Sequence, residues 1–114
     1  MPFLTIHTNA ELRTHNPEEF VQAASELVAA QLHKPIGYVV VTLDQNKNMA
    51  FGGKASNPGI LAEMKSIGFG DKAGLAKILT EFCFDRFEVE LRNINIEFVD
   101  MPGSTVAIGG SLLG

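Results

Sequence analysis

The chain begins Met1-Pro2, so that removal of the initiator methionine by methionine aminopeptidase would expose a proline. The exposed residue would carry a secondary amine, and a free α-amino group titrates at about 7.7–8.0. Burial in an apolar pocket, or a nearby cation, disfavours the charged form and lowers that pKa. The resulting neutral amine can act as a general base near neutral pH. The competing interpretation is that Pro2 is an ordinary second residue without a chemical role.

Other residues that could support catalysis are few. His7, His15 and His33 lack the spacing of metal ligands and have no carboxylate or cysteine cluster beside them, so we predict no metal site. The single cysteine, Cys83, excludes an intramolecular disulfide. Because it falls inside a predicted helix, we interpret it as a small buried apolar residue. The fold is therefore expected to depend on packing alone.

Composition restricts the class of protein. The 114 residues are 46% hydrophobic and 19% charged, which predicts one globular domain covering residues 1–114. The net charge of −4 and the scattered Lys and Arg argue against nucleic acid or an anionic membrane as partner. No apolar run approaches the roughly 20 residues of a membrane span, and no signal peptide is visible. We therefore expect a protein made in the cytoplasm.

A strand–helix–strand pattern occurs twice along the chain. The first half predicts a strand at Phe3–Thr8, a helix at 15–35, a strand at 38–44, a turn at 44–48 and a short return strand at 49–51. The second half predicts a strand at 60–68, a loop at 68–74, a helix at 74–87 and a strand at 94–101. Asn16 suits the cap of the first helix, Pro17 suits its first turn, and Pro35 should end it.

The predicted fold is α+β. Two β-α-β units side by side give a four-stranded mixed sheet with two antiparallel helices on one face. The opposite face should be polar, yet Tyr38, Val40 and Val99 fall on it. We expect another subunit to cover this face, with coverage by the chain's own tail as the alternative. The tail, residues 103–114, is apolar and Gly-rich, and we expect it to add an edge strand to a neighbouring subunit.

Six short motifs match one known family in order and in approximate spacing. They are Met1-Pro2, Thr8-Asn9, His33-Lys34-Pro35 (where the family has Gly-Lys-Pro), Met49-Ala50-Phe51-Gly52-Gly53, Ser66-Ile67-Gly68 and Phe98-Val99-Asp100-Met101. Each motif is weak alone, but together they cover essentially the whole chain. On these motifs the chain resembles the macrophage migration inhibitory factor and D-dopachrome tautomerase family of the tautomerase superfamily. The resemblance implies the fold predicted above, assembled as a ring-shaped homotrimer with an active site at each subunit interface.

The resemblance also implies a keto–enol tautomerase of the phenylpyruvate or dopachrome type that needs no cofactor. Pro2 would take a proton from the carbon beside a carbonyl of a small keto or enol carboxylate and return it elsewhere. Lys34 matches the family's lysine that holds the substrate carboxylate or the enolate oxygen, and it would lower the pKa of Pro2. Its alternative role is to interact with the helix dipole. Ile67 matches the position whose backbone amide contacts substrate, although it could be a plain strand residue.

Several pocket positions depart from the vertebrate members. Asn95 stands where they carry a tyrosine that lines the pocket from the adjacent subunit, and Glu97 stands where they carry asparagine. In the tail Val106 matches, but Ile108 replaces an aromatic residue and Leu113 replaces a phenylalanine. The missing aromatic residues remove a stacking surface, and a carboxylate facing the proline would favour its protonated form. We expect weaker activity on aromatic keto acids, or a different substrate.

Two other functions stay open at this point. One is a cytokine-like protein that is secreted without a signal peptide and binds a cell-surface receptor, with weak or vestigial tautomerase activity. Glu97 and the missing aromatic residues favour it. The other is a superfamily dehalogenase or decarboxylase, in which Glu97 would activate water. The family's Cys-x-x-Cys is absent, since the aligned stretch is Pro58–Ala62, so the thiol–disulfide activity proposed for some members cannot occur.

Overall fold

The computed structural model describes all residues, 1–114, and shows the strand–helix–strand unit twice. The first unit comprises strand β1 (Phe3–Thr8), helix α1 (Pro17–Leu32) and strand β2 (Val40–Asp44). The second comprises strand β3 (Ile60–Ser66), helix α2 (Lys72–Arg86) and strand β4 (Ile94–Asp100). The tail adds the short strands β5 (Ala107–Ile108) and β6 (Ser111–Leu112). Single 3-10 turns occupy Ile36–Tyr38, Leu91–Asn93 and Gly103–Thr105.

The four long strands form one mixed sheet in the order β2-β1-β3-β4. β1 pairs with β2 and β3 with β4 in parallel, whereas the central pair, β1 and β3, is antiparallel. Each helix connects two parallel strands, so the two helices run in opposite directions. The predicted α+β fold is therefore confirmed. None of the helices has the length and apolar character needed to cross a membrane.

The core lies between the helices and one face of the sheet. Leu4 and Ile6 of β1 are fully buried there, as are Ala62 and Met64 of β3. Three aromatic rings join the helices, because Phe20 lies 5.2 Å from Phe82 and 5.3 Å from Phe87 between ring centroids. Cys83 is buried in this layer as predicted, and burial raises the pKa of its thiol to about 12.

The ends of α1 show one correct prediction and one error. The Asn16 side chain accepts a hydrogen bond from the Glu19 N–H at 3.1 Å, so the predicted cap is confirmed. The helix ends at Leu32 rather than at Pro35. The reason is His33, which adopts a left-handed conformation with φ of 53° and terminates the helical hydrogen bonds. Lys34 then closes the turn by donating its N–H to Ala29 O at 3.0 Å.

Several other boundaries differ from prediction, and two of these differences have a local cause. The return strand expected at 49–51 does not form, because Phe51 makes a local bridge to Lys54 around Gly52 and Gly53, whose φ angles are positive. α2 begins at Lys72, two residues earlier than expected. Asp71, which we assigned to a loop, caps it by accepting a hydrogen bond from the Gly74 N–H at 2.9 Å.

The sheet face opposite the helices is mixed in character. His7 lies at its centre, with Nδ1 3.1 Å from Asp44 Oδ2 and Nε2 3.7 Å from Glu63 Oε1. Val40 and Leu61 are 52% and 42% exposed on the same face. Within one chain the tail strands β5 and β6 pair with each other. The expected pairing of the tail with a neighbouring subunit therefore stays a prediction.

Candidate active site

A cavity of about 350 Å³ lies where the N-terminal segment, the end of α1 and the C-terminal tail meet. It is lined by Met1, Lys34, Pro35, Tyr38, Ile67, Ile108 and Leu113. Five of these residues are hydrophobic, and Lys34 is the only one with a charged side chain. A larger depression of about 490 Å³ beside Asn9 and the 47–58 loop has fewer hydrophobic residues in its lining, three of eight, and Lys47, its only charged residue, is paired with Asp44. The smaller cavity therefore offers the better setting for acid–base chemistry.

Lys34 is placed by the end of α1 and by the end of β3. The left-handed turn at His33 ends the helix and brings the half-buried Lys34 side chain against the second half of the chain. Its Nζ donates a hydrogen bond to the Ile67 carbonyl oxygen at 2.9 Å. The ammonium is thus held in a defined position at the cavity wall, with further N–H groups available to a ligand.

The N-terminal segment brings an amine to the same cavity. Pro2 is fully buried, and its carbonyl oxygen accepts a hydrogen bond from the Val40 N–H at 3.0 Å. Met1, attached to the Pro2 nitrogen, lines the cavity, whereas Pro2 lies behind the lining. Burial, and secondarily the charge of Lys34, lower the pKa of the Met1 α-amino group below its ordinary range. The position therefore disfavours a protonated amine.

Ile67 lies in a turn that follows β3, and the residues on either side of it are held by hydrogen bonds. The Ser66 hydroxyl donates to Gly68 O at 2.8 Å, and the Gly68 N–H donates to Asp100 Oδ1 at 3.0 Å. The Ile67 carbonyl accepts from Lys34, and the Ile67 N–H has no acceptor within the chain. This turn therefore presents one unpaired N–H close to the lysine.

The tail supplies the aliphatic wall of the cavity. Ile108 and Leu113 line it directly, and they are 39% and 44% exposed. Val106, which was also expected at the site, is buried behind the wall instead. Its carbonyl oxygen accepts from the Leu113 N–H at 3.0 Å, so that it holds Leu113 in place.

The remaining two expected site residues lie elsewhere within the chain. Asn95 and Glu97 are exposed on the open face of β4, and neither lines the cavity. Glu97 stands in register with Glu63 of β3. The resemblance placed these positions in the site of an adjacent subunit, so their contribution stays a prediction.

Sequence reasoning missed two residues of the lining, Pro35 and Tyr38. We assigned Tyr38 to a strand and to the open sheet face. It lies instead in the 3-10 turn Ile36–Tyr38, with its N–H donating to Pro35 O at 3.0 Å, and it lines the cavity. Pro35 and Gly37, two residues apart and both typical of turns, were the available signal for a turn there.

Comparisons with known proteins agree with this architecture. The family model described as "Macrophage migration inhibitory factor (MIF)" matches residues 1–114. The chain is 34% identical to a macrophage migration inhibitory factor homolog of Brugia malayi, over 100% of both chains. It is similar to the solved structure of macrophage migration inhibitory factor from Oncomelania hupensis, with a TM-score of 0.89, 25% identity, and coverage of 100% of this chain and 83% of the other.

A second solved structure, a macrophage migration inhibitory factor homologue from Prochlorococcus marinus, supports the fold alone. Its TM-score is 0.90 at 24% identity, with 98% of this chain and 99% of the other covered. The family match and the full-length similarity to the Brugia malayi protein decide the assignment. This chain belongs to the macrophage migration inhibitory factor family.

Proposed function

We propose that this protein is a cofactor-independent keto–enol tautomerase that acts on small keto or enol carboxylates. Pro2 is the general base once Met1 has been removed, and Lys34 is its electrostatic partner. The observation that carries the proposal is that the Met1–Pro2 segment and Lys34 meet at one mostly apolar cavity of about 350 Å³. An amine and a cation in an apolar setting are the two groups that this reaction needs.

The surroundings of the N-terminal amine support a base at Pro2. Burial and Lys34 already lower the pKa of the Met1 amine. After removal of Met1 the α-amine would be the Pro2 nitrogen, one residue along the same segment, and we expect both causes to act on it. The Pro2 carbonyl is fixed by the Val40 N–H, and that bond does not involve the nitrogen. A neutral, well-placed secondary amine can therefore accept a proton near neutral pH.

Lys34 and Ile67 provide donors for the negative charge that forms on substrate. The base removes a proton from the carbon beside the carbonyl, and the electron pair moves to the carbonyl oxygen as an enolate. The Lys34 ammonium and the unpaired Ile67 N–H can bind that oxygen or the substrate carboxylate. Protonation of the oxygen by the proline yields the enol, and the reverse path yields the ketone.

We assign the assembly as a ring-shaped homotrimer. Val40, Leu61 and Val99 leave apolar surface on the open sheet face, which a neighbouring subunit would bury. The neighbour would bring its Asn95 and Glu97 to the site. Sedimentation equilibrium should give three times the chain mass, and a monomer across micromolar concentrations would contradict this assignment.

The lining favours aliphatic over aromatic substrates. Ile108, Leu113 and Ile67 form an aliphatic wall, and Tyr38 is the only aromatic side chain in it. An aryl ring therefore has little stacking surface on this chain. We propose that phenylpyruvate is turned over more slowly than a keto acid with an aliphatic chain.

The testing experiment measures enol–keto conversion of phenylpyruvate and of an aliphatic 2-keto acid. The protein must have a mass that shows loss of Met1, and it is compared with Pro2→Gly. Pro17→Gly, at the far end of α1, is the matched control. Activity that is lost in Pro2→Gly but kept in Pro17→Gly supports the proline base. Equal activity in wild type and Pro2→Gly contradicts it.

A second candidate is a cytokine-like signalling protein with a vestigial site. The exposed Glu97 carboxylate and the aliphatic wall favour it, because both disfavour the aromatic tautomerase reaction. Such a protein would act outside the cell on a surface receptor. Inactive wild type combined with saturable, competable binding of labelled protein to cell surfaces would favour this candidate.

A further inference from the structure

We propose that Asp100 is a positioning residue that fixes Lys34 through a single peptide group. The inference rests on the proposed tautomerase function and adds a residue to its site. Asp100 is the last residue of β4, in register with Ser66 at the end of β3. It does not line the cavity, so it acts through other groups.

Two hydrogen bonds hold the peptide group between Ile67 and Gly68 from opposite ends. Asp100 Oδ1 accepts from the Gly68 N–H at 3.0 Å, and Lys34 Nζ donates to the Ile67 carbonyl oxygen at 2.9 Å. These N–H and C=O groups belong to the same planar trans peptide, so they point in opposite directions. An acceptor that fixes the N–H therefore also fixes the direction of the C=O that holds the lysine.

The charges at the two ends reinforce each other. The carboxylate accepts from the N–H and the ammonium donates to the C=O, so both polarise the peptide in the same sense. Charged partners make each bond stronger than a neutral one. Asp100 and Lys34 thus bind opposite ends of one peptide group and do not contact each other directly. The lysine keeps its remaining N–H groups free for substrate.

Neighbouring contacts keep this peptide from turning. The buried Ser66 hydroxyl donates to Gly68 O at 2.8 Å, and the Met101 N–H donates to Ser66 O at 2.8 Å. The turn is therefore anchored on both sides, and the Ile67 N–H remains unpaired beside the lysine. Loss of the Asp100 bond would release the central peptide while its flanks stay in place.

The test compares Asp100→Ala with Asp100→Asn, which keeps an oxygen acceptor for the Gly68 N–H. Asn16→Ala is the control, since it also removes a side-chain acceptor from a backbone N–H. That position is separated from Lys34 by the whole of α1, roughly 24 Å at 1.5 Å per residue.

We expect Asp100→Ala to raise KM for a keto carboxylate about tenfold. Asp100→Asn should stay within about threefold of wild type, and Asn16→Ala should lower stability without changing KM.

A second readout does not depend on activity. In Asp100→Ala the Gly68 amide proton should lose its hydrogen-bonded chemical shift and its protection from exchange, and the Lys34 Nζ resonance should change with it. Asp100→Asn should preserve both signals. If wild type is inactive, the tautomerase proposal fails while this readout still decides the positioning role. The inference is overturned if Asp100→Ala leaves KM and the Lys34 resonance unchanged, or if Asp100→Asn is as impaired as Asp100→Ala.

Discussion

The two halves of the chain follow one plan but end their helices differently. α1 ends in the left-handed His33, and the following lysine, Lys34, reaches the cavity. α2 passes directly into the extended, fully buried Phe87. The basic residue at its end, Arg86, lies 3.7 Å over the Phe82 ring and donates to Phe82 O at 3.2 Å. One cation is thus available to a ligand, whereas its counterpart is engaged in packing.

The final strands of the two halves show a similar contrast in the contacts of their last residues. Both end in aspartate, Asp44 on β2 and Asp100 on β4. Asp44 is paired with side chains, at 3.1 Å from both Lys47 and His7. Asp100 accepts a backbone N–H beside the cavity. A repeated fold therefore provides equivalent positions, and the local turns decide which of them serve the site.

The largest expected effect is on the buried end of α2. Phe87→Ala should lower the free energy of unfolding by about 3–5 kcal/mol, because it removes a fully buried ring that contacts Phe20. Phe84→Ala, in the last turn of α2 but 40% exposed, should lower it much less. Urea unfolding of both variants measures the difference. Similar losses would show that Phe87 does not anchor the helix end as described.

The next prediction distinguishes the role of Lys34 from that of Arg86. Lys34→Ala should lower kcat/KM about 100-fold, because it removes the proposed donor for the developing negative charge. Arg86→Ala should leave kcat/KM unchanged and lower the free energy of unfolding by about 1 kcal/mol through loss of its contact with Phe82. Kinetics and urea unfolding of each variant test this contrast between a kinetic and a stability effect. A large kinetic effect of Arg86→Ala would contradict it.

A smaller effect is expected at the left-handed end of α1. His33→Gly should raise the free energy of unfolding by about 0.5–1 kcal/mol, because glycine adopts φ near 53° without steric cost. Ala30→Gly, one turn earlier and helical, should instead lower it by about 1 kcal/mol. Thermal unfolding should therefore give shifts of opposite sign. Destabilisation by both variants would mean that His33 contributes contacts beyond its backbone conformation.

The smallest effect concerns pH and Asp44. A hydrogen bond from Lys47, with a weaker contribution from His7, lowers the pKa of Asp44 below its usual range. A depressed folded-state pKa stabilises the protein above the unfolded value of about 3.9, and the benefit is lost as pH falls through the folded-state pKa. The stability difference between wild type and Asp44→Asn should therefore be positive at neutral pH and shrink in acid.

Urea unfolding at neutral and acidic pH measures that difference, with Asp85→Asn, on the exposed side of α2, as control. A difference that grows in acid would contradict the assignment. Asp44→Asn should also leave KM unchanged, in contrast with Asp100→Ala. A KM change in both would remove the distinction between the two strand ends.

Local signals in the sequence predicted what depends on local chemistry. β1 was predicted with its observed bounds, and Asn16 was identified as a cap from residue type alone. The burial of Cys83 followed from its place in a helical pattern. Lys34 and Ile67 were identified through the family resemblance, since neither carries a distinctive chemical signal of its own.

The errors arose where conformation depends on distant partners or on rare backbone angles. The residue type of His33 indicates a left-handed conformation only weakly, so Pro35 was taken as the end of the helix. Tyr38 was misplaced because the 3-10 turn before β2 was read as strand. The proposed role of Asp100 could not be predicted from the sequence. It depends on the parallel register of β3 and β4, which pairs Asp100 with Ser66, 34 residues earlier in the chain.

The wall of the cavity is shared between the halves, with Lys34 and Tyr38 from the first and Ile67, Ile108 and Leu113 from the second. Neither half alone contains the site, although each contains a complete strand–helix–strand unit. A chain divided in the exposed segment 52–56 would yield two such fragments, and the proposed activity should return only when they reassociate. That activity would therefore measure the association of the two halves, and it could serve as the readout of a fragment-complementation assay.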